Sequence, residues 1–327
     1  MFRTPVISDI RLAAQSLREG RLVAFPTETV YGLGAYAENE FAVARVFEAK
    51  ERPHFDPLIV HIPSLGYLDY LVTEVSPVAL RLAEAFWPGP LTILFPKREA
   101  VPDLVTSGLP SVGIRIPDHP VALALLNEAG VAIAAPSANR FGCLSPTTAE
   151  HVVEQLDGRI DWILDGGPCR VGVESTVVRP LGDTVELLRP GGVSVEQLEA
   201  VLGQRVVIAE RVTPPNQPGL SPGTLDSHYA PKAQLLLDAM RLPPRNAEQG
   251  VGWLALRDRP AAAQPGDPVE LLSATGQLAE AAAGFFAALR RLDAAGVRWI
   301  VAELFPEEGL GRALNDRLRR GSAPRHL

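Results

Sequence analysis

The feature that most limits what this chain can fold into is a succession of short apolar runs separated by segments with helical spacing. Runs at 22–25, 57–62, 91–95, 112–116, 131–135, 161–165, 173–179 and 185–188 are too short for helices and read as strands. Residues 8–19, 39–49, 64–72, 77–86, 119–129, 147–156 and 194–202 read as helices. Ser8 is the expected N-cap of the first helix and Gly20 its terminator. Thr147 and Glu150 have the spacing of a capping box. Some strands follow one another with no helix between them. The expected fold class is therefore α/β with an open, mixed sheet.

The pattern breaks after residue 205. Val212-Thr213-Pro214-Pro215-Asn216-Gln217-Pro218-Gly219 is too proline-rich for a helix or an interior strand and reads as a linker. Strand-like runs resume at 233–237, 251–256 and 297–302, with an alanine-rich helix at 276–295 and a basic helix at 309–320. These predict a small second α/β domain with a parallel sheet. The expected organisation is a domain over 1–205, a linker over 206–232 and a second domain over 233–327.

Composition narrows the function. A net charge of −7 argues against whole-surface binding to nucleic acid or an anionic membrane, though not against a local basic cleft. The two cysteines, Cys143 and Cys169, lack CxxC spacing, so neither a zinc site nor a disulfide framework is expected, and a reducing, cytoplasmic setting fits. Arg3, Asp9, Arg11, Arg18 and Glu19 give the first 25 residues the wrong character for a signal peptide, and no apolar run approaches a membrane span. HExxH, GxxxxGK[ST] and GxSxG are all missing.

What remains is a set of cations and hydroxyls beside strand ends. Pro26-Thr27-Glu28-Thr29-Val30-Tyr31-Gly32-Leu33-Gly34 follows the run 22–25 and reads as a strand entering a polar turn. Ala135-Pro136-Ser137-Ala138-Asn139 repeats that design after the run 131–135, where a plain Ser or Asx turn is the alternative. Arg115 sits on an apolar strand, which leaves a buried ion pair or an anion ligand as its readings. Arg189 ends a strand beside Gly191 and Gly192, either as a surface residue or at a ligand. Lys50 and Arg52 stand at a helix end, where they complement the helix dipole or face a ligand. His61 on its strand reads first as a core histidine, and Ser175 is an unusual hydroxyl in a β-branched strand. Such an inventory, without an evident nucleophile, suits a polyanionic substrate and phosphoryl or nucleotidyl transfer.

Taken in order, Pro26 to Gly34, Lys50-Glu51-Arg52-Pro53, Pro57-Leu58-Ile59-Val60-His61, Trp87-Pro88-Gly89-Pro90-Leu91-Thr92, Arg115-Ile116-Pro117-Asp118-His119, Ala135 to Asn139, Glu174-Ser175-Thr176-Val177-Val178 and Arg189-Pro190-Gly191 resemble the YrdC/Sua5 family. Ser221-Pro222-Gly223 and His228-Tyr229-Ala230-Pro231 resemble the longer, Sua5-type members. The resemblance implies a twisted sheet with a concave cavity, followed by a small Rossmann-like domain. It implies synthesis of L-threonylcarbamoyladenylate and pyrophosphate from L-threonine, bicarbonate and ATP, with Mg²⁺ carried by ATP and no protein metal ligands. Other proteins would then transfer the threonylcarbamoyl group to adenosine 37 of tRNA.

Carried over by position, Thr29, His61, Arg115, Ser175 and the backbone at Ala135 are implied to bind threonine. Lys50, Arg52, Asp56, Ser111, Ser137, Asn139, Ser145, Arg189 and Tyr229 are implied to bind ATP, with Lys50 and Arg52 neutralising developing charge. Asp56 stands where the family often has Asn, and Thr224-Leu225-Asp226-Ser227 is less basic than in many relatives. The rival reading is an RNA-binding translation or ribosome-maturation factor without catalysis. Carbamoyl transfer is a weaker rival, because zinc-finger cysteines are missing. Arg312, Arg317, Arg319 and Arg320 read as a solvated basic face, with a weak tRNA or partner contact as the alternative.

Overall fold

The computed structural model describes residues 3–209, 219, 228–237 and 250–324. Its larger sheet contains β1 (Val6–Ile7), β2 (Val23–Phe25), β3 (Gly32–Tyr36), β4 (Ile59–His61), β5 (Leu91–Pro96), β6 (Ser111–Arg115), β7 (Ile133–Ala134), β8 (Trp162–Leu164), β9 (Thr176–Leu181), β10 (Thr184–Arg189) and β11 (Val207–Ile208). Their spatial order is β1-β8-β2-β3-β7-β4-β6-β5-β9-β10-β11. Parallel pairs such as β4·β6 and β5·β9 alternate with antiparallel ones such as β2·β3 and β9·β10, so the sheet is mixed, as expected. β11 pairs with β10 and carries this sheet to Ile208, three residues past the expected boundary at 205.

Helices α1 (Ile10–Arg18), α2 (Glu40–Lys50), α3 (Leu68–Leu71), α4 (Pro77–Phe86), α5 (Asp103–Thr106), α6 (Pro120–Ala129), α7 (Ala149–Leu156) and α8 (Val195–Leu202) accompany it. Their ends follow local chemistry. Asp9, not Ser8, caps α1, and Gly20 follows that helix at φ 78°. Thr148 caps α7 by accepting from the His151 amide, one residue later than the spacing of Thr147 and Glu150 suggests. Ser194 and Gln197 form a capping box on α8.

The second sheet holds β12 (Gln234–Leu236), β13 (Val251–Ala255), β14 (Val269–Leu271) and β15 (Trp299–Ala302), all parallel, in the order β12-β15-β13-β14. It packs with α9 (Leu278–Ala294) and α10 (Gly311–Gly321). This is the expected parallel second domain.

The two domains are not beads on a string. One apolar cluster joins Val30, Leu144 and Val173 of the first domain to Tyr229, Phe285, Phe286 and Leu318. Gly172 lies so close to α9 that a β-carbon there would fall 2.2 Å from the Ala282 carbonyl oxygen. Only glycine permits that approach. Burying a side chain such as Phe286 stabilises by roughly 1.5–3 kcal/mol, so this seam is a core rather than a sliding contact.

Candidate active site

The cavity forms where strand ends meet the turns between them. β4 and β6 run parallel, and their register sets His61 beside Arg115. The Pro26–Tyr31 turn joins β2 to β3. Ala135 follows β7, and Ser175 precedes β9. A second close approach completes the wall. A β-carbon on Gly191 would fall 2.3 Å from the Glu174 carbonyl oxygen, so the turn after β10 lies directly on Glu174–Ser175. That contact brings Arg189 to Ser175, whose carbonyl accepts from Arg189 Nη2 at 2.9 Å. The enclosed space is about 50 Å³.

Arg115, Thr29, His61 and Ser175 form one group of lining residues. Arg115 Nη1 donates to Thr29 Oγ1 at 2.9 Å, and its Nε to the Gly89 carbonyl at 3.2 Å. Its Nη2 lies 2.6 Å from Glu28 Oε1, and both side chains are buried. Arg115 thus has the buried ion pair of one reading while still lining the cavity of the other. Ser175 Oγ lies 2.8 Å from Thr92 Oγ1. His61 Nδ1 is buried with no hydrogen-bond partner among the described residues. Burial, then the Arg115 charge, lowers the His61 pKa to about 3, so the ring is neutral at pH 7. A buried imidazole with an open nitrogen facing the cavity wall is not a fully satisfied core histidine.

Arg52, Arg189, Ser137, His228 and Tyr229 also line the wall, and Arg189 Nη2 reaches Ser175 Oγ at 3.2 Å. Arg52 pairs with Asp56 at 2.9 Å and donates to the Pro57 carbonyl at 2.8 Å. Burial, opposed in part by Asp56, lowers the Arg52 pKa. His228 is held well below its ordinary range by burial and then by the charges of Arg52 and Lys50. Tyr229 is buried at φ 62°, with its ring 4.1 Å from that of His228.

The remaining candidates sit behind this lining. Lys50 Nζ donates to the Ser137 and Asn139 carbonyls, each at 2.5 Å, and shapes the loop from behind. Burial pushes its pKa well below the ordinary lysine range. Asn139 Nδ2 donates to the Arg140 and Cys143 carbonyls, and Ser145 donates to Glu174 Oε1 at 2.5 Å. Ser111 opens β6, four residues from Arg115, or about 13 Å along a strand. It lines a smaller recess with Leu58 and Thr92, which shares Ile59 with the main cavity. Ser221 to Ser227 lie outside the described residues.

Glu28, Glu174, His228 and Arg317 were absent from the candidate set. The first three stand inside the quoted motifs, where a buried carboxylate or imidazole next to an arginine was the available signal. Arg317 belongs to α10. It and Arg320 are 1% and 4% exposed, so that helix is not a solvated basic face. Arg312 reaches Glu196 of the first domain, and Arg319 pairs with Glu307.

A mixed α/β sheet thus carries a cavity that gathers arginines, hydroxyls and a neutral imidazole, with His228 and Tyr229 from the segment before the second domain in its wall. A family model described as "Telomere recombination" (Sua5, YciO, YrdC) matches residues 15–191, and one described as "Threonylcarbamoyl-AMP synthase, C-terminal domain" matches residues 193–323. The chain belongs to the Sua5/YciO/YrdC family and carries the Sua5 C-terminal domain. It is 45% identical over 325 residues to the threonylcarbamoyl-AMP synthase of Bacillus subtilis, covering 97% of this chain and 93% of that protein. The threonylcarbamoyl-AMP synthase of Pyrococcus abyssi is 43% identical, with 97% and 94% covered. The crystal structure of P. abyssi Sua5 complexed with L-threonine superposes with a TM-score of 0.88 at 41% identity, covering 98% of both chains.

Proposed function

We propose that this chain is a threonylcarbamoyl-AMP synthase, joining L-threonine, bicarbonate and ATP into L-threonylcarbamoyladenylate with release of pyrophosphate. The observation that carries the reading is the pairing, within one cavity, of an Arg115–Thr29–His61–Ser175 end with an Arg52–Arg189 end. Arg115 is the partner for the threonine carboxylate, shared with Glu28 through its several donors. Neutral His61, Thr29, Ser175 and the backbone at Ala135 hold the rest of the amino acid. Burial beside Arg115 and Arg189 favours the neutral amine, whose nitrogen attacks the bicarbonate carbon; the C–OH bond breaks, and the hydroxide leaves as water with the amine's proton. The carbamate oxygen of N-carboxythreonine then attacks the α-phosphorus in line, breaking the bond to pyrophosphate. Arg52 and Arg189 offset the developing negative charge, Lys50 acts through the Ser137–Asn139 loop that it holds, and no covalent enzyme intermediate is required.

Ser137 lines the proposed nucleotide shell, Asn139, Ser145 and Asp56 support it from behind, and Ser111 opens the neighbouring recess. Asp56 acts through Arg52, to which it is paired, so Mg²⁺ enters as part of the Mg–ATP substrate. Ligand sites generally offer roughly 300–1,000 Å³, far more than the space enclosed here. His228 and Tyr229 must therefore draw back for ATP to enter. The adenylate passes to threonylcarbamoyl-transfer proteins that act on tRNA, which places the enzyme in the cytoplasm. No helix among the described residues is long and apolar enough to cross a membrane.

The purified chain incubated with ATP, L-threonine and ¹⁴C-bicarbonate, without tRNA, tests the proposal. Labelled adenylate and pyrophosphate should form together and only with threonine present. A salt-sensitive RNA complex without any ATP chemistry would instead support the binding-factor reading.

A further inference from the structure

Arg317 is an expensive residue where it stands. Its side chain is fully buried, although it comes from α10 of the second domain. Its Nε donates to Glu174 Oε2 at 2.8 Å. Its Nη1 donates to the Pro190 carbonyl at 2.9 Å and to Asp316 at 2.8 Å. Its Cζ lies 5.1 Å from the centroid of the Tyr229 ring. Nη2 is buried with no hydrogen-bond partner among the described residues. Well-packed apolar residues often replace a buried ion pair without loss of stability. An unmade donor makes this arrangement costlier still. The side chain is therefore better explained by what it positions than by what it stabilises.

It positions three parts of the cavity wall at once. The other oxygen of Glu174 accepts from Ser145, so Arg317 fixes the carboxylate that orients that hydroxyl. Pro190 follows Arg189, so the bond to its carbonyl anchors the turn that holds Arg189 over Ser175. Tyr229 packs between the guanidinium and Phe286, whose ring centroid is 5.9 Å away. A few residues along, the Arg320 carbonyl accepts from the His228 amide, and the Ala230 amide donates to the Gly142 carbonyl. The fork of an arginine can span Glu174 and Pro190 together, which the single ammonium of a lysine cannot reproduce.

We propose that Arg317 is a positioning residue for the nucleotide half of the reaction, through which the second domain sets the closed arrangement of Glu174, Arg189 and Tyr229. Among the described residues, Arg115, Thr29 and His61 make no hydrogen bond or ion pair with it, so that part of the cavity is set without it, and Ser175, which accepts from Arg189, is where the two parts meet. This inference rests on the proposed synthase activity.

The test combines steady-state kinetics with amide exchange on full-length R317M and R317K. R317M should raise KM for ATP by about tenfold or more while threonine affinity, read by calorimetry without ATP, stays within about threefold. Exchange at the Ala230 amide should rise by about tenfold or more while amides of α9 and β15 stay protected. R317K should recover part of both losses. The proposal is overturned if ATP dependence and Ala230 exchange stay within about twofold of wild type. It is equally overturned if exchange rises throughout α9 and β15 and threonine binding is lost with it, because Arg317 would then only hold the fold. Should R317M not fold, R317K decides by itself: a rise in KM for ATP of about threefold supports the proposal and a smaller one refutes it. A wild-type protein with no threonine-dependent pyrophosphate release would defeat the synthase reading, and the exchange measurement would still judge the latch.

Discussion

The two groups of side chains in the cavity are built differently. The group proposed to hold threonine is made from the first domain alone, by strand register and one tight turn. His61 and Arg115 are cross-strand neighbours, and Thr29 reaches Arg115 from the β2–β3 turn. The group proposed to hold the nucleotide is a composite. Arg52 and Arg189 come from the first domain, His228 and Tyr229 from the segment that follows it, and Arg317 braces them from the second domain. The first group rests on sheet register, and the second also depends on two domains staying docked, which suits the proposed admission of a large nucleotide and exclusion of water.

The sharpest way to break this comparison is to remove charge from the nucleotide end. Lys50→Ala or Arg52→Ala should lower turnover by about 100-fold or more, a far larger effect than on the fraction folded. Turnover near wild type in either variant would refute their role. A smaller effect is expected at the threonine end. Ser175→Ala removes one hydroxyl and should raise KM for threonine by about tenfold with little change in kcat. If kcat falls instead, Ser175 works at the reacting atoms rather than in substrate binding.

Buried histidines at both ends supply a pH test. The folded pKa of His61, about 3, lies below its ordinary value of 6.5, so the unfolded chain binds the extra proton between those values. Its contribution to stability is complete above pH 6.5 and is lost as pH falls towards 3. At pH 5.5 the loss from His61 is on the order of 1 kcal/mol. His228 is shifted in the same direction by burial and neighbouring cations. Urea midpoints at pH 7.5 and 5.5 should show this drop, and His61→Gln should remove its share. The smallest effect belongs to the rim of the domain interface. Arg312→Ala breaks a partly exposed pair with Glu196 and should cost less than about 1 kcal/mol and leave KM for ATP unchanged.

Much of this was legible in the sequence because buried strands and amphipathic helices leave periodic marks. The mixed sheet, the parallel second domain and the clustering of the strand-end motifs all follow from such marks. β3 was not legible. Gly32-Leu33-Gly34-Ala35-Tyr36 looks like a turn, and it becomes a strand because Phe25 and Ile133 pack over Gly34 in the folded sheet. Neighbouring caps were also indistinguishable, since Asp9 beside Ser8 and Thr148 beside Thr147 offer the same chemistry one residue apart. Arg317 was read as solvated because nothing local marks it as buried. Its partner Glu174 lies 143 residues away, and only tertiary packing brings them together.

The most direct test of a two-ended cavity is a paired set of binding isotherms on full-length protein. L-Threonine and a non-hydrolysable ATP analogue are titrated separately into Arg115→Lys and Arg52→Lys, which keep the charges beside Glu28 and Asp56 but lose the guanidinium fork. Arg115→Lys should weaken threonine by about tenfold or more and leave the nucleotide within about threefold, and Arg52→Lys should do the reverse. Equal weakening of both ligands by either variant would contradict the account.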